Sequence, residues 1–139
     1  MSNAESNNAQ LTDIITSPDN EKHYMRVKPV GRRVRVLRQG DVLAHSSNAL
    51  RVLEVGHDHY DPVIYVPAAD IVGALVPVPE RTTHCPLKGD ASYFTLDGLP
   101  EAAPIAWTYG NVLDRASVLA QHIAFYADAV TIEEIGAQG

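Results

Sequence analysis

A thiol, an amine and an imidazole lie close together in the middle of the chain. His84 directly precedes Cys85, and Lys88 follows three residues later across a turn that contains Pro86. A cysteine reacts as its thiolate, and a nearby ammonium stabilises that anion. If the two side chains converge on one pocket, they could act together on a bound molecule. The opposing interpretation makes Cys85 a small buried apolar residue and Lys88 a surface charge.

Glu54 is the second residue whose position suggests chemistry. It shares a predicted strand face with the apolar residues Leu50 and Val52, where an unpaired carboxylate would be costly to bury. The pattern therefore predicts a cationic partner, either Lys88 or an arginine. A buried Glu54–Lys88 pair would serve as an acid–base unit or as an anchor for a polar ligand. The alternative is a glutamate at a strand end that already lies in water.

Four aromatic residues form the third group. Trp107 and Tyr109 lie on one face of a predicted strand because side chains alternate along it, while Tyr65 and Tyr93 lie on other strands. Such residues either fill a core with their hydroxyl groups at its rim, or line a pocket that stacks on a flat or sugar-like ligand.

A metal site is not predicted. His57 and His59 are two residues apart in a polar loop, and His84 with Cys85 could supply further ligands. No second pair with a recognisable metal-ligand spacing follows, however, and polar loops of this kind are common. We therefore expect a solvent-exposed, metal-free loop and no cofactor.

Length, charge and cysteine content argue against several classes of protein. The 139 residues suit one domain, and the net charge of -6 disfavours binding to nucleic acid or to anionic membrane surfaces. No apolar run approaches the length of a membrane span. A single cysteine allows no internal disulfide, which is typical of cytoplasmic proteins. We therefore expect a cytoplasmic protein without nucleic-acid or membrane partners, whose oligomeric state, including a homo-oligomer, stays open.

The candidate residues must be positioned by a mainly-β domain. Residues 1–25 are rich in polar side chains and are predicted to form an N-terminal extension, with residues 26–139 forming one domain. Short runs of β-forming residues, separated by turn signals, predict a small barrel-like or sandwich arrangement. In the first of these runs Val34 and Val36 alternate with arginines, and residues 39–41 (Gln-Gly-Asp) predict a hairpin turn after it. Two short helices are predicted over residues 68–75 and 114–121, and Pro77 and Pro79 are expected to end the first of them.

The sequence around Cys85 also resembles a known family. Residues 83–93 follow the order Thr-x-Cys-Pro-x-Lys-Gly-x-Ala-x-Tyr, and residues 105–109 are Ile-Ala-Trp-Thr-Tyr. This order is similar to that of the bacterial family called domain of unknown function 427 (DUF427), and the resemblance extends from about Val34 to Val130. It implies a small bent sheet related to the β-tent architecture.

Two functions connected with that resemblance find no support in the residues. Other families of the β-tent architecture bind zinc, but this chain lacks their paired Cys-x-x-Cys motifs. A nucleotidyltransferase label is sometimes attached to DUF427, but no acidic metal-binding pair in this chain supports that chemistry.

Together these observations predict a polar-aromatic pocket in a domain that binds an unidentified small molecule. The candidate catalytic residues are Lys88, Glu54 and Cys85, and the candidate ligand-binding residues are Tyr65, Tyr93, Trp107 and Tyr109. Enzymatic activity is left open because no motif specifies a reaction. The alternative function is a non-catalytic module that binds a partner protein through an exposed β surface or the N-terminal extension.

Overall fold

The computed structural model describes residues 14–58 and 60–136, which form a mainly-β domain. The strands in this part of the chain are β1 (Ile14–Ser17), β2 (Asn20–Pro29), β3 (Arg33–Arg38), β4 (Asp41–Ser46), β5 (Leu50–Val55), β6 (Val63–Pro67), β7 (Leu75–Cys85), β8 (Gly89–Leu96), β9 (Ala106–Val112), β10 (His122–Phe125) and β11 (Thr131–Ile135). They form an eight-stranded sheet in the order β1-β2-β5-β6-β10-β9-β8-β7 and a three-stranded sheet in the order β11-β3-β4. The prediction of a mainly-β fold is confirmed. Over the described residues the edge strands β1 and β7 do not pair, so the large sheet is not a closed barrel.

The β3–β4 hairpin shows how local sequence determines the strands. Val34 and Val36 are fully buried, and they alternate with Arg35, which is only half-buried. The turn between the strands falls at Gln39 and Gly40, both of which have positive φ angles of 51° and 88°. Two successive residues with positive φ form the tight turn whose twist matches that of an antiparallel hairpin. The predicted turn is therefore confirmed.

Side-chain alternation along the strands produces two apolar clusters. In β6, Ile64 and Val66 pack in one cluster with Val34 and Val36 of the small sheet. Tyr65, between them in sequence, belongs to the second cluster. Because successive side chains of a strand point to opposite faces, the two clusters lie on opposite faces of the large sheet. The candidate site lies in the second cluster.

Both predicted helices are present as shorter 3-10 helices, at Ala68–Asp70 and Asp114–Leu119. The predicted continuation of the first helix to residue 75 is wrong. The amides of Val72 and Gly73 donate hydrogen bonds to the carbonyl oxygen of Leu43, at 2.9 and 3.0 Å. The chain thus pairs with β4 instead of completing a helical turn. None of the helices within the described residues is long and apolar enough to cross a bilayer.

Pro77 and Pro79 do not end a helix, as their positions in the sequence suggested, but lie within β7. This strand forms one edge of the large sheet, where a residue without an N–H group is tolerated. The pairing of β7 with β8 shifts in register between Pro77 and Thr82. The two prolines therefore lie at or beside an irregular stretch of an edge strand.

The segment predicted as an N-terminal extension contains strand structure. Ile14 and Ile15 lie in β1, which pairs with β2, and β2 pairs in turn with β5. Met25 of β2 is fully buried. The division into an extension of residues 1–25 and a domain of residues 26–139 stays a prediction, but the described part of that extension belongs to the large sheet.

An ion pair joins the two sheets. Arg51 of β5 donates a hydrogen bond from Nη2 to Oε1 of Glu134 in β11, at 2.7 Å. This hydrogen bond is the main reason that the pKa of Glu134 lies below its ordinary value of 4.5.

We expect Glu134→Gln to lower the free energy of unfolding by about 0.5–1 kcal/mol at neutral pH, as partly exposed ion pairs do. Because the folded-state pKa of Glu134 is depressed, this contribution is present above its ordinary pKa of 4.5 and is lost as the pH falls through the folded-state value. Urea denaturation of the wild type and of Glu134→Gln, from neutral pH down to about pH 3, measures the difference between their free energies of unfolding. A difference that stays constant over this range would contradict the prediction.

Candidate functional site

Cys85 and Lys88 lie at the β7–β8 hairpin. Cys85 pairs with Gly89, and the turn runs between these two residues. Leu87 anchors the turn because its side chain is fully buried. The carbonyl oxygen of Lys88 accepts a hydrogen bond from the Leu113 amide at 2.8 Å. These contacts fix the backbone from which the Lys88 side chain enters the interior.

Lys88 and Glu54 form a buried ion pair. Lys88 Nζ donates a hydrogen bond to Glu54 Oε1, and the two side chains are 7% and 18% exposed. The other carboxylate oxygen, Oε2, is hydrogen-bonded to His23 Nε2 at 2.8 Å. Lys88 is therefore not a surface charge, and Glu54 has the cationic neighbour that its position required. The contact with His23 was not predicted.

The pair keeps both charges at neutral pH. Burial opposes ionisation of Glu54, but the charge of Lys88 and the hydrogen bonds from Lys88 and His23 outweigh it and hold the pKa of Glu54 below 4.5. Burial also opposes the charge on Lys88, but Tyr109 and Glu54 outweigh it and raise the pKa of Lys88 above 10.5. A lysine held in its ammonium form donates hydrogen bonds to a bound molecule but has no lone pair with which to accept a proton.

The ion pair lies beside a cavity of about 220 Å³ with mostly aromatic walls. The rings of Tyr65 and Trp107 meet edge to face, with centroids 6.3 Å apart, and the Trp107 and Tyr126 centroids are 4.5 Å apart. The cavity is lined by Val52, Glu54, Tyr60, Asp61, Val63, Tyr65, Lys88, Tyr93, Trp107, Tyr109 and Tyr126. These include all four aromatic residues predicted from the sequence. Tyr60, Asp61 and Tyr126 were not predicted.

The hydroxyl groups of two tyrosines in this cavity stay protonated at neutral pH. Burial is the main reason that the pKa of Tyr65 is well above 10.0 and that the pKa of Tyr109 is raised as well. Lys88 Nζ lies 5.5 Å from the centroid of the Tyr109 ring, within the range of a cation–π contact. The cavity thus offers neutral phenol groups, which donate and accept hydrogen bonds, beside an ammonium and a carboxylate.

Cys85 lines a neighbouring cavity and not the aromatic one. This second cavity has a volume of about 440 Å³, and its lining includes His23, Glu54, Tyr60, His57, His84 and Cys85. Glu54 and Tyr60 line both cavities. Cys85 was predicted to line the aromatic pocket, but it lies with three histidines on the wall of the second cavity.

The loop that contains His57 can be described only in part. His57 is exposed, and His59 lies outside the described residues. His84 is hydrogen-bonded through Nδ1 to Oδ1 of Asp90 at 2.7 Å. The expectation that the His57–His59 loop holds no metal therefore stays a prediction.

Comparison with known proteins adds the family of the chain. No curated protein matches it. A protein-family model matches residues 26–136, from within β2 to just beyond β11, and this range contains every candidate site residue predicted from the sequence. The match covers most of the chain. The protein therefore belongs to the family described as a domain of unknown function (DUF427).

Proposed function

We propose that this domain binds a small polar molecule in the aromatic cavity and that the Lys88–Glu54 pair recognises its polar groups. The observation that carries the proposal is a largely buried ion pair on the wall of a mostly aromatic cavity. A buried ion pair is a weak source of stability, because apolar residues of similar volume often stabilise a core as well or better. A ligand that needs a charged hydrogen-bonding group gives the pair a function.

The size and lining of the cavity indicate the class of ligand. A volume of about 220 Å³ is below the roughly 300–1,000 Å³ typical of ligand pockets, so a single-ring metabolite fits better than a larger cofactor. Trp107 and Tyr126 provide aromatic surface suited to stacking on a sugar or a planar ring. Lys88 and the hydroxyl of Tyr109 supply hydrogen bonds. We therefore propose a neutral hydroxylated or planar ring compound.

The alternative, a module that binds a partner protein, requires a continuous exposed apolar patch. Ile14 and Leu53 are exposed apolar residues near the β1 edge of the large sheet. Arg26 lies between them in register, since it pairs with Ile14 on one side and with Leu53 on the other. The charge of Arg26 thus interrupts the exposed apolar surface at this edge of the sheet, which argues against a docking patch there.

The fluorescence of Trp107 tests the proposal, because this residue is the only tryptophan in the chain and lines the cavity. Monosaccharides and nucleobases are titrated into protein treated with EDTA. We expect one of these classes to change the emission of Trp107. Lys88→Met should weaken that binding by about 10- to 100-fold, since a hydrogen bond to a charged group contributes about 1.5–3 kcal/mol.

The matched control is Lys28→Met, which removes an exposed lysine from β2 and should leave the affinity unchanged. Two results would contradict the proposal. One is that no compound of either class changes the emission of the wild-type protein. The other is that Lys88→Met binds every such compound as tightly as the wild type does.

A further inference from the structure

Three side chains that are distant in sequence bring metal-binding atoms together beside the second cavity. They are His23 from β2, Glu54 from β5 and Cys85 from the end of β7. One imidazole nitrogen, one carboxylate oxygen and the sulfur all lie within 4.8 Å of one another. All three residues are half-buried. Three separate strands thus contribute one ligand atom each to one small volume.

The distances suit a tetrahedral ion after small side-chain movements. Zinc binds nitrogen, oxygen and sulfur ligands at about 2.0–2.3 Å, so its ligand atoms lie about 3.3–3.8 Å apart. His23 Nε2 and Glu54 Oε2 are 2.8 Å apart, and the remaining separations are at most 4.8 Å. Rotation about side-chain bonds can widen the first separation and shorten the others without moving the strands.

We infer that His23, Glu54 and Cys85 form a binding site for a divalent transition metal ion, with zinc as the ion that suits this set of ligands. Imidazole and thiolate ligands favour zinc over magnesium or calcium, which prefer oxygen. Three protein ligands with a fourth position left open are typical of catalytic zinc sites, whereas structural sites have four protein ligands. This inference departs from the sequence-based expectation of a metal-free protein.

The surroundings of the three residues are compatible with an open site. They all line the second cavity of about 440 Å³, which has room for a water molecule or another small ligand on the ion. Lys88 is hydrogen-bonded to Oε1 of Glu54, and Oε2 is the oxygen near His23. A hydrogen bond of this kind orients a ligating carboxylate. On metal binding, Cys85 would lose its thiol proton to solvent, and the neutral imidazole of His23 would carry its proton on Nδ1 instead of Nε2, so that Nε2 is free to bind the ion.

Cobalt(II) provides the first test, because a thiolate ligand to cobalt produces a charge-transfer absorption band. Untagged protein is freed of metal with EDTA, dialysed and titrated with cobalt chloride. We expect one ion per chain and a charge-transfer band that Cys85→Ala abolishes. His23→Gln should weaken binding by about 100-fold or more, since loss of even an outer-shell partner costs 10- to 100-fold. The control is His84→Gln, from the same cavity but outside the cluster, which should bind cobalt as the wild type does.

Alkylation provides a second test that does not depend on cobalt or on a variant. Cys85 is the only thiol in the chain, so mass spectrometry of the intact protein reports its reaction with iodoacetamide. We expect stoichiometric zinc to slow this reaction. Cobalt binding without the charge-transfer band, wild-type affinity in His23→Gln, or equal alkylation with and without zinc would each overturn the inference. These tests are independent of the proposed ligand, whose fluorescence titration uses metal-free protein.

Discussion

We expect Lys88→Met and Glu54→Gln each to lower the free energy of unfolding by about 3–5 kcal/mol in metal-free protein, because each leaves a buried charge without its partner. Lys88 is only 7% exposed and Glu54 only 18%, so water compensates little. The double variant buries no such charge, and its loss should be smaller than the sum of the two single losses. Urea denaturation of the wild type, the two single variants and the double variant gives the coupling free energy between Lys88 and Glu54.

An exposed ion pair provides the matched control. Arg35 and Glu133 are also in contact, at 2.6 Å, but their side chains are 40% and 43% exposed. Neutralising either residue should cost only about 0–1 kcal/mol, since solvent screens such pairs. Small and additive effects at Lys88 and Glu54 would show that their pair behaves like this surface pair. The proposed function would then lose the observation that supports it.

The coupling between Lys88 and Glu54 should also be constant over a broad pH range. The pKa of Glu54 is lowered in the folded state, so its contribution is present above its ordinary value of 4.5 and is lost as the pH falls through the folded-state value. The pKa of Lys88 is raised, so its contribution is fully present below its ordinary value of 10.5 and is lost as the pH rises through the folded-state value. Neutral pH therefore lies well inside this range.

Local sequence signals were sufficient where the structure depends on neighbouring residues. Gln39-Gly40 predicted a tight turn, and both residues adopt the positive φ angles that such a turn requires. Val34 and Val36, at alternate positions, predicted a strand with one buried face, and both are fully buried. In each case the information lies within a few residues of the feature that it determines.

Local signals failed where a distant segment provides the hydrogen-bonding partner. The apolar residues after Pro67 are compatible with a helix, but the amides of Val72 and Gly73 bond to Leu43 instead. These contacts follow from the packing of the chain against β4. No pattern within residues 68–75 carries that information.

The candidate site also combines contacts that the sequence predicted with contacts that depend on distant segments of the chain. The cost of burying Glu54 predicted a cationic partner, either Lys88 or an arginine, and the structure shows that the partner is Lys88. The contact with His23 depends on the pairing of β2 with β5, in which Met25 lies opposite Glu54. The polar composition of residues 1–25 concealed this pairing. The alternation of Met25 and Val27 with Arg26 and Lys28 is the sequence signal that a strand begins before residue 26.

Gly89, which follows Lys88, lies where two backbone segments approach closely. Its φ angle is +123°, a conformation that residues with a Cβ atom rarely adopt. A Cβ atom at this position would lie 2.2 Å from the carbonyl oxygen of Asn111 and 3.0 Å from the Leu113 nitrogen. Both neighbours are backbone atoms, in β9 and in the residue directly after it, so neither can move away by a side-chain rotation. The Leu113 amide also holds the Lys88 carbonyl oxygen.

We therefore expect Gly89→Ala to lower the free energy of unfolding by about 3–5 kcal/mol, since backbone strain of about 1–3 kcal/mol adds to overpacking of similar size. Gly40→Ala is the matched control, because Gly40 also has a positive φ, +88°, but nothing lies within 4 Å of its added Cβ. In the control only the strain of the positive φ angle should lower the free energy of unfolding, by about 1–2 kcal/mol. Urea denaturation compares the two variants with the wild type. If Gly89→Ala were no less stable than Gly40→Ala, the conformation of the turn alone would explain the glycine, and the close approach to Asn111 would have no energetic role.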